Sequence, residues 1–297
     1  MPTSFAYLGV VLVWSTTALA IRWSVAGMSF TAALAARMTL GAALAVLLLL
    51  LLRRPLPFDR AARRTYLIAG LAMALSMACT YFGARHISSG LMAVLFGLSP
   101  LITALCATSL IGERPGRGQL AGMALGLAGL WLIFGDRVAL GPEAHLGIAG
   151  GLMGVLLQAL GAVLTKRHGG DTPPLATAAG ALTVSAVLSL AAWALLDGQW
   201  PSAAGVRSWG AVAYLAAVGS VLAMSLYYLL IQRLPTAHVA LITLITPVTA
   251  LALGHLADGE AVSAGLLSGT ALIVFGLLVH QLPLWKQWAD RLARETE

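Results

Sequence analysis

The sequence predicts an all-α polytopic membrane protein, with ten transmembrane helices arranged as two inverted five-helix repeats. Three properties of the chain lead there. Hydrophobic residues make up 59% of its 297 residues and charged ones only 10%, with a mean hydropathy of +0.89. Water does not accept that much apolar surface, so a bilayer must be the solvent. The apolar residues form continuous runs of bilayer length; a helix rising 1.5 Å per residue needs ~20 of them to cross a ~30 Å hydrocarbon core. Alternating segments of ~10 residues, the mark of a barrel, do not occur. Finally, the chain matches itself without a gap at an offset of 147 residues.

The offset is carried by unusual residues. Ser99-Pro100 breaks the run 88–111 and Gly112-Glu113 closes it; Thr246-Pro247 breaks a second run and Gly259-Glu260 closes that one. The same slide pairs Met77 with Met224, Tyr81 with Tyr228, and Gly118, Gly122 and Gly129 with Gly265, Gly269 and Gly276. Leu and Ala matches carry no weight in such a chain. Met, Tyr, Pro and spaced glycines in one register indicate an internal duplication.

In order, the runs fall near 4–24, 30–52, 62–84, 88–111, 117–135, 145–166, 174–196, 206–231, 236–257 and 260–281. The first lacks a basic region before it and a cleavage motif after it, so it is expected to be a span and not a signal peptide. The loops are too short for a soluble domain. The expected division is 1–140 for the first repeat, 141–284 for the second and 285–297 for a short basic tail. Arg53, Arg54, Arg60, Arg63, Arg64, Arg114, Arg117, Lys166, Arg167 and Arg233 occupy alternate loops, with Lys286, Arg291 and Arg294 in the tail. The other side has Arg22, Arg85, Arg137 and Arg207. The positive-inside rule then places both termini and the 53–64 loop in the cytoplasm. The net charge of +7 reports topology, not nucleic-acid binding. Five spans per repeat is an odd number, so the second half enters the membrane upside down. That arrangement supports alternating access around a mid-membrane site.

The Pro-broken fourth run ending in Leu110-Ile111-Gly112-Glu113-Arg114, followed by the Gly-rich stretch 118–129, resembles the EamA repeat of the drug/metabolite transporter superfamily. Trp14-Ser15 and Ala36-Arg37 resemble it too. Nearly the whole chain is covered, and among members it looks most like the YddG-type aromatic amino acid exporters. The resemblance implies an inner-membrane transporter that exports amino acids, aromatic ones foremost, and similar amphipathic metabolites. The second half departs from the pattern: Gly161–Thr165 lacks a Trp-Ser match, and 174–196 has no equivalent of Arg37. An asymmetric site is therefore expected.

The candidate substrate-binding residues lie near the break points. Met73, Met77 and Tyr81 share one helical face, as do Ser220, Met224 and Tyr228, with Tyr227 beside them. Met supplies a polarizable surface and Tyr an aromatic face with a hydroxyl, suited to an amphipathic solute; helix packing explains such a stripe equally well. Pro100 and Pro247 free the carbonyls of Phe96 and Thr243, so those turns, with the Ser99 and Thr246 hydroxyls, either line a cavity or simply kink the spans. Trp14 sits mid-span and either packs between helices or stacks on a solute. Arg37, some seven residues inside the second run, either meets a substrate carboxylate or snorkels outward. Gln158 is a mid-span polar candidate of the same kind. His238 and His255 read as interfacial, Cys79 and Cys106 as apolar packing residues. Gly118, Gly122 and Gly126 on the fifth run, with Gly265 and Gly269 on the tenth, permit close helix approach, which is packing and not chemistry.

Absences narrow the function. The carboxylates Asp59, Glu113, Asp136, Glu143, Asp171, Asp197, Asp258 and Glu260 all fall at span ends or in loops. Proton exchange at a mid-membrane carboxylate is therefore not expected. No phosphate loop, metal-ligand cluster or nucleophile constellation is visible, so no enzyme, cofactor or metal is expected. The expected partners are a small-molecule substrate and membrane lipid, with no nucleic acid, and a monomer is plausible. Two alternatives stay open: a multidrug or organic-cation exporter, and a carrier of anionic phosphorylated metabolites.

Overall fold

A computed structural model describes residues 3–112, 116–135, 142–168, 172–223, 226, 230 and 236–295. Every regular element among them is helical. In chain order these are α1 (Thr3–Ala26), α2 (Phe30–Leu51), α3 (Arg60–Gly83), α4 (Ser89–Gly97), α5 (Ser99–Ile111), α6 (Arg117–Gly135), α7 (Ala144–His168), α8 (Pro174–Leu196) and α9 (Val206–Tyr214). A π-helical turn, Leu215–Leu222, continues α9; α10 (Thr236–Asp258) and α11 (Ala264–Glu295) follow. Seven described segments are long and apolar enough to cross a membrane: 5–26, 30–51, 60–83, 89–110, 144–168, 174–196 and 264–282. Val206–Leu222 is a shorter apolar helix.

Helix ends follow local chemistry. Ser29 accepts from the Ala32 amide, Asp59 from those of Ala61 and Ala62, and Ser88 from that of Leu91, so the first turns of α2, α3 and α4 have side-chain acceptors. Gly112 and Gly259, one offset apart, both adopt left-handed backbone, at φ 71° and 63°. Glycine takes that conformation without a Cβ penalty, which explains the repeated Gly-Glu at the end of each Pro-containing run.

The two prolines behave differently. Pro100 stands in the first turn of a new helix, where a missing N–H costs nothing, and the run breaks at Leu98. Pro247 lies inside an unbroken α10, which corrects the expected second break. Hydroxyls around it bond back to the helix: Thr246 donates to the Ile242 carbonyl at 2.6 Å, and Thr249 donates to those of Ile245 and Thr246. The tenth run forms α11, which begins later and runs further than expected, from Ala264 to Glu295; Ser263 caps its start at the Leu266 amide.

The packing repeats the duplication. α3 packs on α7 and α8, while α9 and its π turn pack on α1 and α2; α5 packs on α7, and α10 on α1. Exchanging each run for its counterpart converts each of these pairings into another of the set. Three pairings join counterpart runs directly: α2 with α8, α4 with α10, and α6 with α11. The last is antiparallel and glycine-lined. A Cβ on Gly122 would lie 2.5 Å from the Gly276 carbonyl oxygen, and one on Gly129 would lie 2.6 Å from that of Gly269. The seam therefore uses Gly122, Gly129, Gly269 and Gly276, whereas Gly126 faces Leu101. α4 and α10 cross where Gly97 meets the Pro247 ring.

Backbone cannot yield as a side-chain tip can, so Gly122→Ala should destabilise the fold by about 1–3 kcal/mol. Gly116→Ala, at a position with open space, should be neutral. Thermal unfolding and size-exclusion profiles of the two variants in detergent check this.

Candidate functional site

The middle of α1 is a polar hub that sequence reading passed over. Ser15 shares a short hydrogen bond with Thr249 of α10, and Thr16 Oγ1 lies 2.6 Å from the Tyr214 hydroxyl of α9. Thr17 turns toward the π turn at Gly219. Ser15 and Thr16 thus tie α1 to different neighbours, whereas the Thr17 hydroxyl donates to the Val13 carbonyl of its own helix at 2.7 Å. Helical periodicity gives no hint of this, since Ser and Thr so often bond to their own helix.

Beside that hub lies Arg37, 7% exposed within α2. Its Nη1 donates to the Tyr81 hydroxyl at 3.4 Å and approaches the Met77 sulfur at 4.0 Å. The guanidinium carbon sits 5.9 Å from the Tyr81 ring centroid, and Nε is buried without a partner. Tyr81 is fully enclosed, so its ring holds Arg37 and does not face an opening. Met73 and Met77 are half-buried beside it.

Gln158 is exposed. Gly154, one turn before it, contacts Ser76 and Thr80 of α3, and Gly161, three residues after it, contacts Ala72. These glycines place Gln158 on the face of α7 turned toward α3, at about the level of Met73.

The remaining candidates fall around these groups. Trp14 is half-buried and packs with Val10, Val11, Leu230 and Ile242. Phe96, Ser99 and Pro100 are half-buried at the break between α4 and α5. Pro247 is buried against Gly97, and the Thr246 hydroxyl is turned onto its own helix. Met224, Tyr227 and Tyr228, and the side chain of Thr243, lie outside the described residues. The structure thus joins Arg37, Met77 and Tyr81, and sets Trp14 on a different flank of α1.

A second polar group lies at the opposite end of α1 from its start, around Glu260. That residue sits in the connection between α10 and α11, as expected, and it is buried, 7% exposed. It accepts from the Ser89 and Gly90 amides at 2.7 and 3.0 Å, capping α4, and from Arg22 at 2.5 Å. Next to it Arg207 pairs with Asp258 at 2.7 Å and lies 4.2 Å from the Trp23 ring centroid. Trp23 Nε1 also donates to Asp258. A polar cavity of about 340 Å³ opens beside this cluster, lined by Arg22, Arg85, His86, Asp258 and Glu260 among others. Asp258 lies just beyond the apolar run. Burial alone would raise its carboxyl, but hydrogen bonds from Arg207 and Trp23 and the charges of Arg207 and Arg22 outweigh it and hold the group below its ordinary value.

Two stretches, 1–135 and 145–280, each match the model of the EamA-like transporter family. The chain belongs to that family. Curated relatives agree with it along most of their length. An inner membrane transporter of Escherichia coli K12, YedA, described as uncharacterized, is 27% identical over 95% of this chain and 91% of its own. PagO of Salmonella typhimurium is 23% identical, covering 98% of both chains, and PecM of Dickeya dadantii is 24% identical over 73% of each. One solved crystal structure superposes with a TM-score of 0.68 at 24% identity, covering 95% of this chain and 98% of its own, a likeness of fold.

The depressed Asp258 carboxyl gives a pH expectation. Its contribution to stability is present above the ordinary aspartate value of 3.8 and is lost as pH falls through the lower folded value. Asp258→Asn should therefore unfold at a lower temperature than the native protein at pH 7, and the gap should begin to narrow as pH falls below about 4. Unfolding midpoints recorded from pH 3 to 7 decide it.

Proposed function

We propose that this protein exports amino acids, aromatic ones foremost, and similar amphipathic metabolites across the inner membrane. Its ten spans act as two inverted five-helix halves, 1–140 and 141–284, and both termini and the tail 285–297 lie in the cytoplasm. The family assignment makes the protein a transporter. The observation that carries the substrate reading is the exposed Gln158 on the face of α7 turned toward α3, at about the level of half-buried Met73 and Met77. An amide donor and acceptor beside adaptable thioethers suits a solute with one polar and one apolar end.

The antiparallel α6–α11 seam and the exchange of packing partners support inversion of the halves. In the resulting orientation the Arg22–Glu260 and Arg207–Asp258 pairs lie on the outer side, joining α1, α4, α9 and α10. We read them as a closed outer gate, with substrate reaching Gln158 from the cytoplasmic side. Rocking one half against the other would break the pairs and reverse the access. No carboxylate is described in mid-span, so the substrate gradient drives transport. A carrier of anionic metabolites is the second reading, favoured by the buried cation of Arg37.

Reconstitution in liposomes separates these readings. Phenylalanine or tyrosine counterflow should be present and unchanged when the proton gradient is collapsed. Gln158→Ala and Met77→Ala should each lower it about fivefold, the loss of ~1 kcal/mol of contact. Exchange confined to organic cations or sugar phosphates would overturn the assignment.

Orientation has its own test in a background with Cys79 and Cys106 replaced by Ser. An impermeant thiol reagent added outside should label His145→Cys and leave Ala61→Cys untouched; the reverse pattern would invert the topology.

A further inference from the structure

We propose that Arg37 is the carboxylate-binding group for the solute, in a subsite completed by Thr17, Tyr81 and the Gly219–Ser220 part of the π turn. The proposal rests on the exporter reading and names the chemistry its substrate must carry. A guanidinium is a permanent cation with five donors in a planar fork. At Arg37 one donor reaches a hydroxyl at 3.4 Å, the sulfur of Met77 lies at 4.0 Å, and Nε has no partner. Neither contact neutralises the charge.

The described side-chain carboxylates are engaged elsewhere. Asp59 caps α3, Glu143 pairs with His86, Asp197 accepts from Ser29 and Thr31, Asp258 pairs with Arg207, and Glu260 pairs with Arg22. A desolvated cation without an anion is among the costlier features a membrane protein can hold. The fold nevertheless encloses it, 93% out of reach of solvent by its 7% exposure.

The space beside it is shaped by the π turn. A Cβ placed on Gly219 would stand 3.9 Å from Arg37 Nη2, 3.9 Å from Thr17 Oγ1 and 3.7 Å from a Leu215 methyl, all ordinary contact distances. The bare glycine therefore leaves room for a methyl-sized group in contact with both the guanidinium and the threonine hydroxyl. The Ser220 hydroxyl donates to the Leu215 carbonyl and the Thr17 hydroxyl to that of Val13, so neither donates to the ligand: Ser220 fixes the turn, and Thr17 has lone pairs left to accept from an amine. π-helical turns of this kind recur at functional sites. One guanidinium matches one carboxylate in a bidentate pair. A phosphate dianion would call for a second cation, and among the described contacts of Arg37, Tyr81 and Met77 there is none. The half-buried Met73 and Met77 then flank the apolar body of the solute.

The test compares three ligands on purified protein: L-phenylalanine, 3-phenylpropionate, which lacks the amine, and 2-phenylethylamine, which lacks the carboxylate. Unfolding midpoints of the native protein should rise with the first two and not with the third. Arg37→Gln should weaken the carboxylate response at least tenfold in apparent Kd. Its ligand-free midpoint should equal or exceed that of the native protein, because an uncompensated charge has gone. Gly219→Leu, which keeps the arginine and fills the space before it, should also abolish the response. The subsite is overturned if Arg37→Gln is markedly less stable without ligand, if the amine stabilises as well as the acids, or if none of the three stabilises. Counterflow separates this from the exporter reading. Phenylalanine transport equal in the native protein and Arg37→Gln removes the subsite and leaves export intact. Arg37-dependent stabilisation by phenylpropionate, without phenylalanine transport, keeps the subsite and removes amino acid export.

Discussion

The carboxylate of Glu260 joins α1 and α4 to the end of α10. Helix starts leave amide donors unsatisfied, and inside a bilayer no water can take them. Glu260 supplies acceptors for Ser89 and Gly90 at the start of α4, a helix distant from it in sequence, while Arg22 of α1 balances its charge. Its placement depends on two glycines. Gly259 turns the chain through left-handed backbone, and Gly254 leaves room, since a Cβ there would press on the carboxylate. His255 holds the Glu260 carbonyl at 2.9 Å. The first helix, the fourth and the end of α10 thus share one anchor, and the Arg207–Asp258 pair extends it to α9.

The crossing of α4 and α10 shows why related sequences can take different local forms. Both runs carry a proline in the same register. On one side Ser99-Pro100 opens a fresh helix after Leu98; on the other, Pro247 fits against Gly97 and the surrounding Thr hydroxyls serve the backbone. A proline ring needs a partner without a side chain at close approach, and only one of the two has it in the described residues. The pseudo-symmetry of the halves is therefore one of arrangement and not of detail.

Much of the arrangement was legible. The 147-residue register marked Gly112-Glu113 and Gly259-Glu260 as the ends of their runs, the spaced glycines of the fifth and tenth runs as packing positions, and Ser99-Pro100 as a break. These are local or symmetric features, which periodicity and spacing report. The site was less legible. Arg37 and Met77 were visible as an odd charge and an aligned stripe, but the enclosure of Tyr81 and the exposure of Gln158 depend on which helices lie opposite. Thr16, Thr17, Tyr214 and Gly219 carry no signal of their own in a chain rich in small residues. The burial of the loop acid Glu260 was not legible because its partners stand 171 and 238 residues away.

The seam between α6 and α11 has a further consequence. Its contacts fall on exchange-related positions, Gly122 against Gly276 and Gly129 against Gly269. Each half therefore offers the other the same surface it receives, as an isologous interface does. A free-standing half built on either sequence would be self-complementary toward an upside-down copy of itself. Covalent fusion makes that pairing obligatory and lets the two copies diverge, so one half can keep an arginine at position 37 while its counterpart, position 184, holds a valine. Fusion is thus what allows a symmetric frame to carry a one-sided binding site.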